Sequence, residues 1–290
     1  MACSSNAAMV KRLCAEGVLT SPEVIEAFRS VDRGDFVPSS GRFGADRAYA
    51  NVPVRIGNFH LSAPFIYGVA LEALGVRRGV RFINVGSGTG YLSSIVAVLL
   101  GGTGTNHGVE ARDELVGFAR RRVPSAEFLL GNALSLDPVS SRGAYDRVFV
   151  GAGCDAARAS HFALLLKVGG VLVGPVENEL LRIERFSTHV FSSATLMSVK
   201  FSPLLVPSPT RSDPAAGPRL GRLRPLLGPL SMASRMRGSS PTVLESVNSV
   251  GNVQSLAWIT MSNLPAMRDD GAGTRVMKSR GVRDVGSGQR

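Results

Sequence analysis

The stretch Phe82 to Ser94, FINVGSGTGYLSS, places glycine at every second position between an apolar run and a helix-forming segment. A backbone of this kind leaves a strand, turns sharply and enters a helix, which pushes the chain toward alternating strands and helices around a parallel sheet. Gly86, Gly88 and Gly90 also allow backbone amides and a helix N-terminus to approach a ligand closely. A nucleotide-hydrolysing phosphate loop ends in Gly-Lys-Ser/Thr, and no Lys follows here. A dinucleotide fingerprint separates its second and third glycines by three positions, whereas both intervals here are two, which fits NAD poorly. Taken alone, the loop is equally compatible with a tight turn that holds no ligand.

The surrounding pattern fits an α/β reading over residues 1–207. Short apolar, β-branched runs predict strands at Val80–Val85, Thr105–Glu110, Glu127–Leu130, Tyr145–Gly151, Gly170–Pro175, Leu180–Phe186 and Thr195–Ser202. Helical patterns fill the gaps at Ser62–Leu74, Tyr91–Leu100, Asp113–Arg122 and Ala156–Leu166. TSPEVIEAF reads as a helix start with Ser21 as cap, Pro22 at the first position and Glu23 in the first turn.

The second strand ends in NHGVE, placing Glu110 24 residues beyond Gly86, where a carboxylate at a strand tip can accept both hydroxyls of a ribose. The third ends in LLGNAL, and the Asn132 amide offers a donor and an acceptor to an adenine edge. Each residue alone is an ordinary loop-start residue. With the glycine loop, the three successive strand tips point to an adenosyl ligand without pyrophosphate.

INVGSGTGYLSS, GVE, LLGNAL, YDRVFVGAG and LLKVGGVLVGPV resemble the successive motifs of class I S-adenosylmethionine-dependent methyltransferases. VDRGDFVP, AYANVPVRIGNFHLSAP and VKFSPLLVP narrow the resemblance to the protein-L-isoaspartate O-methyltransferase family, over about Asn6 to Pro207. GNFHLSAPFIY, NVGSGTGYLSS and NHGVE are most similar to its branch of domain-containing proteins. The resemblance implies a Rossmann-like, seven-stranded, mostly parallel sheet with helices on both faces. It also implies methyl transfer from S-adenosylmethionine to the free carboxylate of an isoaspartyl residue, a protein-repair reaction. Ser62 resembles the family's catalytic serine, and His60, Leu61, Gly86, Ser87, Gly88, Thr89, Gly90, Glu110 and Asn132 form the implied cofactor set. The residue types also allow Ser62 to be an ordinary helix cap before Pro64. The chain departs from the family pattern at Phe65, Ile66 and Tyr67, where catalytic members commonly read His-Met-His, and at Asn84 and Asn132, where acids are usual.

Composition bounds the partners. Cys3, Cys14 and Cys154 form no metal-ligand spacing, and His161 and His189 join no constellation with Cys154, so reduced thiols in a soluble, cytoplasmic protein are expected. The N-terminus lacks the order of a signal peptide, residue 2 is Ala rather than a myristoylated Gly, and no run approaches the roughly 20 apolar residues of a membrane span. Net charge is +11, of which residues 208–290 hold +7 through twelve basic and five acidic residues. That tail is rich in Pro, Gly and Ser and reads as mostly disordered, although Val243–Leu264 regains apolar content and can fold on a partner. Nucleic acid is disfavoured as a partner because the basic residues lack interleaved stacking aromatics. The branch resemblance carries an alternative: a recognition module serving as substrate receptor for a cullin-type ubiquitin ligase. Ser255, Leu256 and Leu264 stand at elongin-box positions, with Thr260 where Cys is usual.

Overall fold

The computed structural model describes residues 4–38, 45–136, 143–205 and 257–260. Helices α1 (Asn6–Ala15) and α2 (Pro22–Ser30) lead through a 3-10 turn (Arg33–Phe36) and α3 (Ala45–Tyr49) to a small antiparallel hairpin, β1 (Val54–Ile56) and β2 (Phe59–Leu61). The α/β unit follows: α4 (Pro64–Leu74), β3 (Arg81–Val85), α5 (Tyr91–Leu100), β4 (Thr105–Glu110), α6 (Asp113–Arg122) and β5 (Glu127–Leu130). A second 3-10 turn (Ala133–Ser135), β6 (Tyr145–Val150) and α7 (Ala156–Ala163) precede β7 (Leu166–Val176), β8 (Glu179–Arg185), β9 (Val190–Ser198) and β10 (Ala257–Thr260).

The main sheet runs β10-β9-β8-β7-β6-β3-β4-β5. Strands β5 to β7 are mutually parallel, and β8 is antiparallel to both neighbours. The seven expected strands are present, and β10 adds parallel to the outer edge of β9. Successive residues point to opposite faces and enter two separate apolar clusters. Phe82, Phe149, Val171 and Val173 join the one built with α1, α2, α4 and α5, whereas Ile83, Val85, Val148, Val150 and Leu172 join the one with α7. Both faces are therefore buried, as a parallel sheet requires.

Helices α5 and α6 have their expected bounds. A glycine in the left-handed region follows α5 at Gly101, while Asp113 and Glu114 open α6 and three arginines close it, matching the helix dipole. Other boundaries differ, among them the start of α4 at Pro64 rather than Ser62 and of β7 at Leu166 rather than Gly170. Helix α7 ends at Ala163, because Leu166 already pairs with Tyr145 and the ladder resumes at Val171 after a bulge that spans Gly169 and Gly170. Strand β9 starts at Val190, paired in a tight hairpin with β8, where its polar Ser-Ser run hid the strand. The β1–β2 hairpin was not anticipated, although its two-residue Gly57-Asn58 connection, with Gly57 at φ +55°, is a hairpin signal. In the tail, Ala257–Thr260 is extended; Ser255, Leu256 and Leu264, like the expected disorder elsewhere in 208–290, lie outside the described residues. No helix among the described residues is long and apolar enough to cross a membrane.

Glu72 on α4 ties the N-terminal helices to this unit. Its carboxylate accepts from the Thr20 and Ser21 amides at 2.8 and 2.9 Å and from both hydroxyls. Ser21 thus occupies the cap position of α2 without capping it through its side chain. Burial alone would raise the Glu72 carboxyl, but the hydrogen bonds from Ser21 and Thr20 outweigh it and hold the pKa below its ordinary value. A depressed carboxyl stabilises the fold above its unfolded pKa of about 4.3, and that contribution is lost as pH falls through the folded value. Glu72→Gln is expected to lower Tm at pH 7 by about 2–4 °C, roughly 1 kcal/mol for a partly exposed group. The gap should narrow as pH falls below about 4; melting curves of equal separation at pH 7 and pH 3.5 would contradict this.

Candidate functional site

Strand order reverses at β3, since the chain winds outward through β4 and β5 and then returns to place β6 on its other side. A crevice at the C-terminal ends of the strands follows from that reversal. It is a cavity of about 290 Å³, floored by Asn84, Gly86, Glu110 and Gly151 from the strand ends.

The glycine loop wraps its inner wall. Gly86 and Ser87 donate their amides to the Val109 carbonyl at 2.8 and 3.1 Å, which fixes the loop against β4. Gly86 and Gly88 have φ of +72° and +56°, a region most side chains avoid, and a Cβ on Gly88 would meet the His60 carbonyl at 3.6 Å. Glu110 is 9% exposed. Its Oε2 accepts the Gly88 amide at 2.9 Å, and its Oε1 accepts those of Ala111 and Arg112. A carboxylate offers about four acceptor positions, so with three amides bound one remains for a ligand in the cavity that Glu110 lines.

The outer wall comes from the hairpin. Arg112 donates to the Asn58 carbonyl at 2.8 Å, and Arg55 donates to the Ser202 hydroxyl at 2.8 Å. These contacts clamp the hairpin over the crevice together with the segment 201–205, which is itself held by bonds between Gly153 and the backbone of Ser202 and Leu204. His60 faces Arg55 across the hairpin and lines the cavity. Burial, followed by the Arg55 and Arg33 charges, lowers its pKa, so the imidazole is neutral at pH 7.

Ser62 lies between β2 and α4. The cap position of α4 belongs to Ala63 and Pro64 opens the helix, so the Ser62 hydroxyl is not consumed as a cap. Ser62 is 9% exposed and lines the cavity. Its amide donates to the Tyr67 hydroxyl at 3.1 Å, and its carbonyl accepts from Arg33 at 2.8 Å. Tyr67, standing where catalytic members commonly have a histidine, is buried. Burial pushes its pKa up, against the opposing effects of Arg33 and Ser62.

The structure therefore gathers Ser62, His60, Gly86, Ser87, Gly88, Thr89 and Glu110 around one cavity. Three expected residues lie outside its wall. Leu61 is 3% exposed and packs into the larger core. Gly90 caps α5 at φ +85°, where a Cβ would crowd Ala119 at 3.0 Å and Phe128 at 3.2 Å; it serves helix packing. Asn132 turns its Oδ1 to the Leu134 amide at 3.0 Å and caps the second 3-10 turn, while Gly131 and Ala133 line the cavity beside it. Tyr67, Arg55 and Arg112 are among the wall residues not anticipated from sequence. Three buried atoms in the wall, Asn84 Oδ1, Ser87 Oγ and Thr89 Oγ1, have no hydrogen-bond partner. Buried polar atoms are ordinarily satisfied, so a ligand rich in donors and acceptors fits this site.

The family model described as protein-L-isoaspartate(D-aspartate) O-methyltransferase matches residues 4–207. This chain belongs to that family. Protein-L-isoaspartate O-methyltransferase 1 of Arabidopsis thaliana is 35% identical over 218 residues, covering 69% of this chain and 91% of the relative. A protein-L-isoaspartate O-methyltransferase of Ignicoccus hospitalis is 36% identical, covering 59% of this chain and 81% of its own. A Plasmodium falciparum structure, described as a protein-L-isoaspartate O-methyltransferase in complex with S-adenosyl-L-homocysteine, superimposes with a TM-score of 0.61 at 23% identity. It covers 69% of this chain and 98% of that one. The isoaspartyl methyltransferase family member described here thus has the class I methyltransferase fold.

Proposed function

We propose that this protein transfers the methyl group of S-adenosylmethionine to the free carboxylate of L-isoaspartyl residues in damaged proteins, the first step of their repair. The observation that carries the reading is one cavity in which Ser62 faces the glycine loop and Glu110, within a chain whose family match spans residues 4–207. The unpartnered Asn84, Ser87 and Thr89 oxygens and the remaining Glu110 lone pair suit a cofactor carrying an ammonium group and ribose hydroxyls. When bound, S-adenosylmethionine supplies an electrophilic methyl group. A carboxylate with a pKa near 4 is already ionised at neutral pH, so the protein needs no base to activate it. Its task is orientation: the Ser62 hydroxyl donates to one carboxylate oxygen, and the clamped hairpin restricts water and holds the peptide.

Free thiols at Cys14 and Cys154 support a reducing, cytoplasmic location as part of this reading. Nothing in the described residues or in the relatives supports a receptor for a cullin-type ligase. Ser62→Ala is expected to lower kcat/KM on an isoaspartyl peptide by about 10–100-fold, the loss of one hydrogen bond to a charged group. Affinity for S-adenosylhomocysteine should stay within about twofold. An unchanged kcat/KM would remove Ser62 from the mechanism.

A further inference from the structure

Behind Ser62 the fold buries an entire cation. Arg33, in the first 3-10 turn, has 0% of its surface exposed. Its Nε donates to the Ala48 carbonyl at 2.7 Å and its Nη2 to the Ser62 carbonyl at 2.8 Å. The guanidinium carbon lies 5.4 Å from the Tyr91 ring centroid and 6.0 Å from that of Tyr67. Nη1 is buried with no acceptor in hydrogen-bond geometry. Among the described residues Arg33 forms no ion pair: the neighbouring Asp32 carboxylate is engaged by the Tyr49 hydroxyl and the Gly34 amide. Burial lowers the Arg33 pKa, yet a guanidinium remains protonated at physiological pH.

A buried charge without a counter-ion is costly to maintain, and here it stands one backbone carbonyl away from the subsite meant for an anion. Its field reaches the cavity, because Arg33 is among the charges that depress His60. Arg33 also fixes Ser62 twice, directly through the carbonyl and indirectly through Tyr67, whose ring it faces and whose hydroxyl accepts the Ser62 amide. Resting on the methyl-transfer reading, we infer that Arg33 is the positioning residue of the carboxylate subsite and the source of the field that favours the anionic substrate over its neutral methyl ester. Methyl transfer forms the O–CH3 bond, breaks the S–CH3 bond and leaves the ester uncharged. The attraction that draws the substrate in is thereby withdrawn from the product, which promotes its release.

The test uses the full-length chain saturated with S-adenosylhomocysteine. Affinities are measured for an isoaspartyl peptide and for the same peptide with its free carboxylate converted to the neutral amide. Wild type should bind the acid tighter by about tenfold or more, as expected for a charge felt across several ångströms of partly shielded protein. Arg33→Met should bring the ratio close to one with S-adenosylhomocysteine affinity unchanged within about twofold. Arg33→Lys, which retains the charge but not the fork, should preserve the ratio while lowering kcat about tenfold. If the Met variant does not fold, the Lys variant decides, since a collapsed ratio with the charge retained overturns the inference. A wild-type enzyme that methylates the peptide but binds acid and amide equally overturns this inference alone; one that forms no ester overturns the functional reading as well.

Discussion

Glu110→Ala is expected to weaken S-adenosylmethionine binding by about 100-fold or more. The carboxylate is the acceptor at the tip of β4 whose remaining lone pair the functional reading assigns to the ribose, and a hydrogen bond to a charged group contributes about 1.5–3 kcal/mol. One such bond at about 1.4 kcal/mol per tenfold gives a loss of about 10–150-fold, and the loop anchor lost with it places the expectation at the upper end. The substitution also releases the Gly88, Ala111 and Arg112 amides from their common acceptor, so the glycine loop and the first turn of α6 lose a shared anchor. Glu110→Gln separates the two contributions. It keeps one oxygen for the amides but brings an NH2 donor toward donors, and an intermediate loss of about tenfold is expected. Calorimetric titration with S-adenosylhomocysteine checks both. An alanine variant that binds within threefold of wild type would show that the ribose is held elsewhere.

The largest effect on stability is expected far from the cavity, at Gly104. This residue joins α5 to β4 with φ +84°, and a Cβ built there would lie 2.2 Å from the Val80 carbonyl oxygen and 3.0 Å from the Gly79 carbonyl carbon. Both neighbours are backbone, and Val80 is itself engaged as the acceptor of the Thr105 amide at 3.1 Å, so neither side can yield cheaply. Left-handed backbone costs a non-glycine residue about 1–2 kcal/mol, and overpacking adds about 1–3 kcal/mol. Gly104→Ala should therefore lower stability by roughly 2–5 kcal/mol, or Tm by about 5–15 °C. Because the site lies at the opposite ends of the strands, the folded fraction should retain wild-type affinity for S-adenosylhomocysteine. A Tm within 2 °C of wild type would contradict the packing described.

The parts of the fold legible in the sequence are those whose causes are local. Helix α6 shows its acids at the start and its arginines at the end, and Gly86 and Gly88 lie where a strand-to-helix turn demands positive φ. The place of Glu110 at the tip of β4, on the cavity wall beside the glycine loop, was legible because a strand tip has a fixed register relative to that loop. What escaped depends on contacts distant in sequence. Nothing in VDRGDF indicates that Arg33 is buried, since its partners Ala48 and Ser62 lie 15 and 29 residues away. Asn132 was assigned to a ligand on residue type, but its carbonyl oxygen is taken by an amide two residues ahead, a local competition common for Asn. At Phe65-Ile66-Tyr67 the chain departs from the usual His-Met-His, and nothing local to that stretch shows that the Tyr67 hydroxyl accepts the Ser62 amide. The early start of β7 was hidden because the helical pattern runs on to Leu166 and the strand reads as beginning at Gly170, whereas the ladder starts at Leu166, bulges and continues.

The most direct test of the central claim is methyl-ester formation. The purified chain is incubated with S-adenosylmethionine labelled in its methyl group and a peptide containing a single L-isoaspartyl residue, beside the same peptide with normal aspartate, and base-labile label is counted. The account predicts ester on the isoaspartyl peptide at a rate about 100-fold or more above the aspartyl control, because the cavity must align one free carboxylate with the methyl group. Bound cofactor with no ester on either peptide, or equal ester on both, would contradict it.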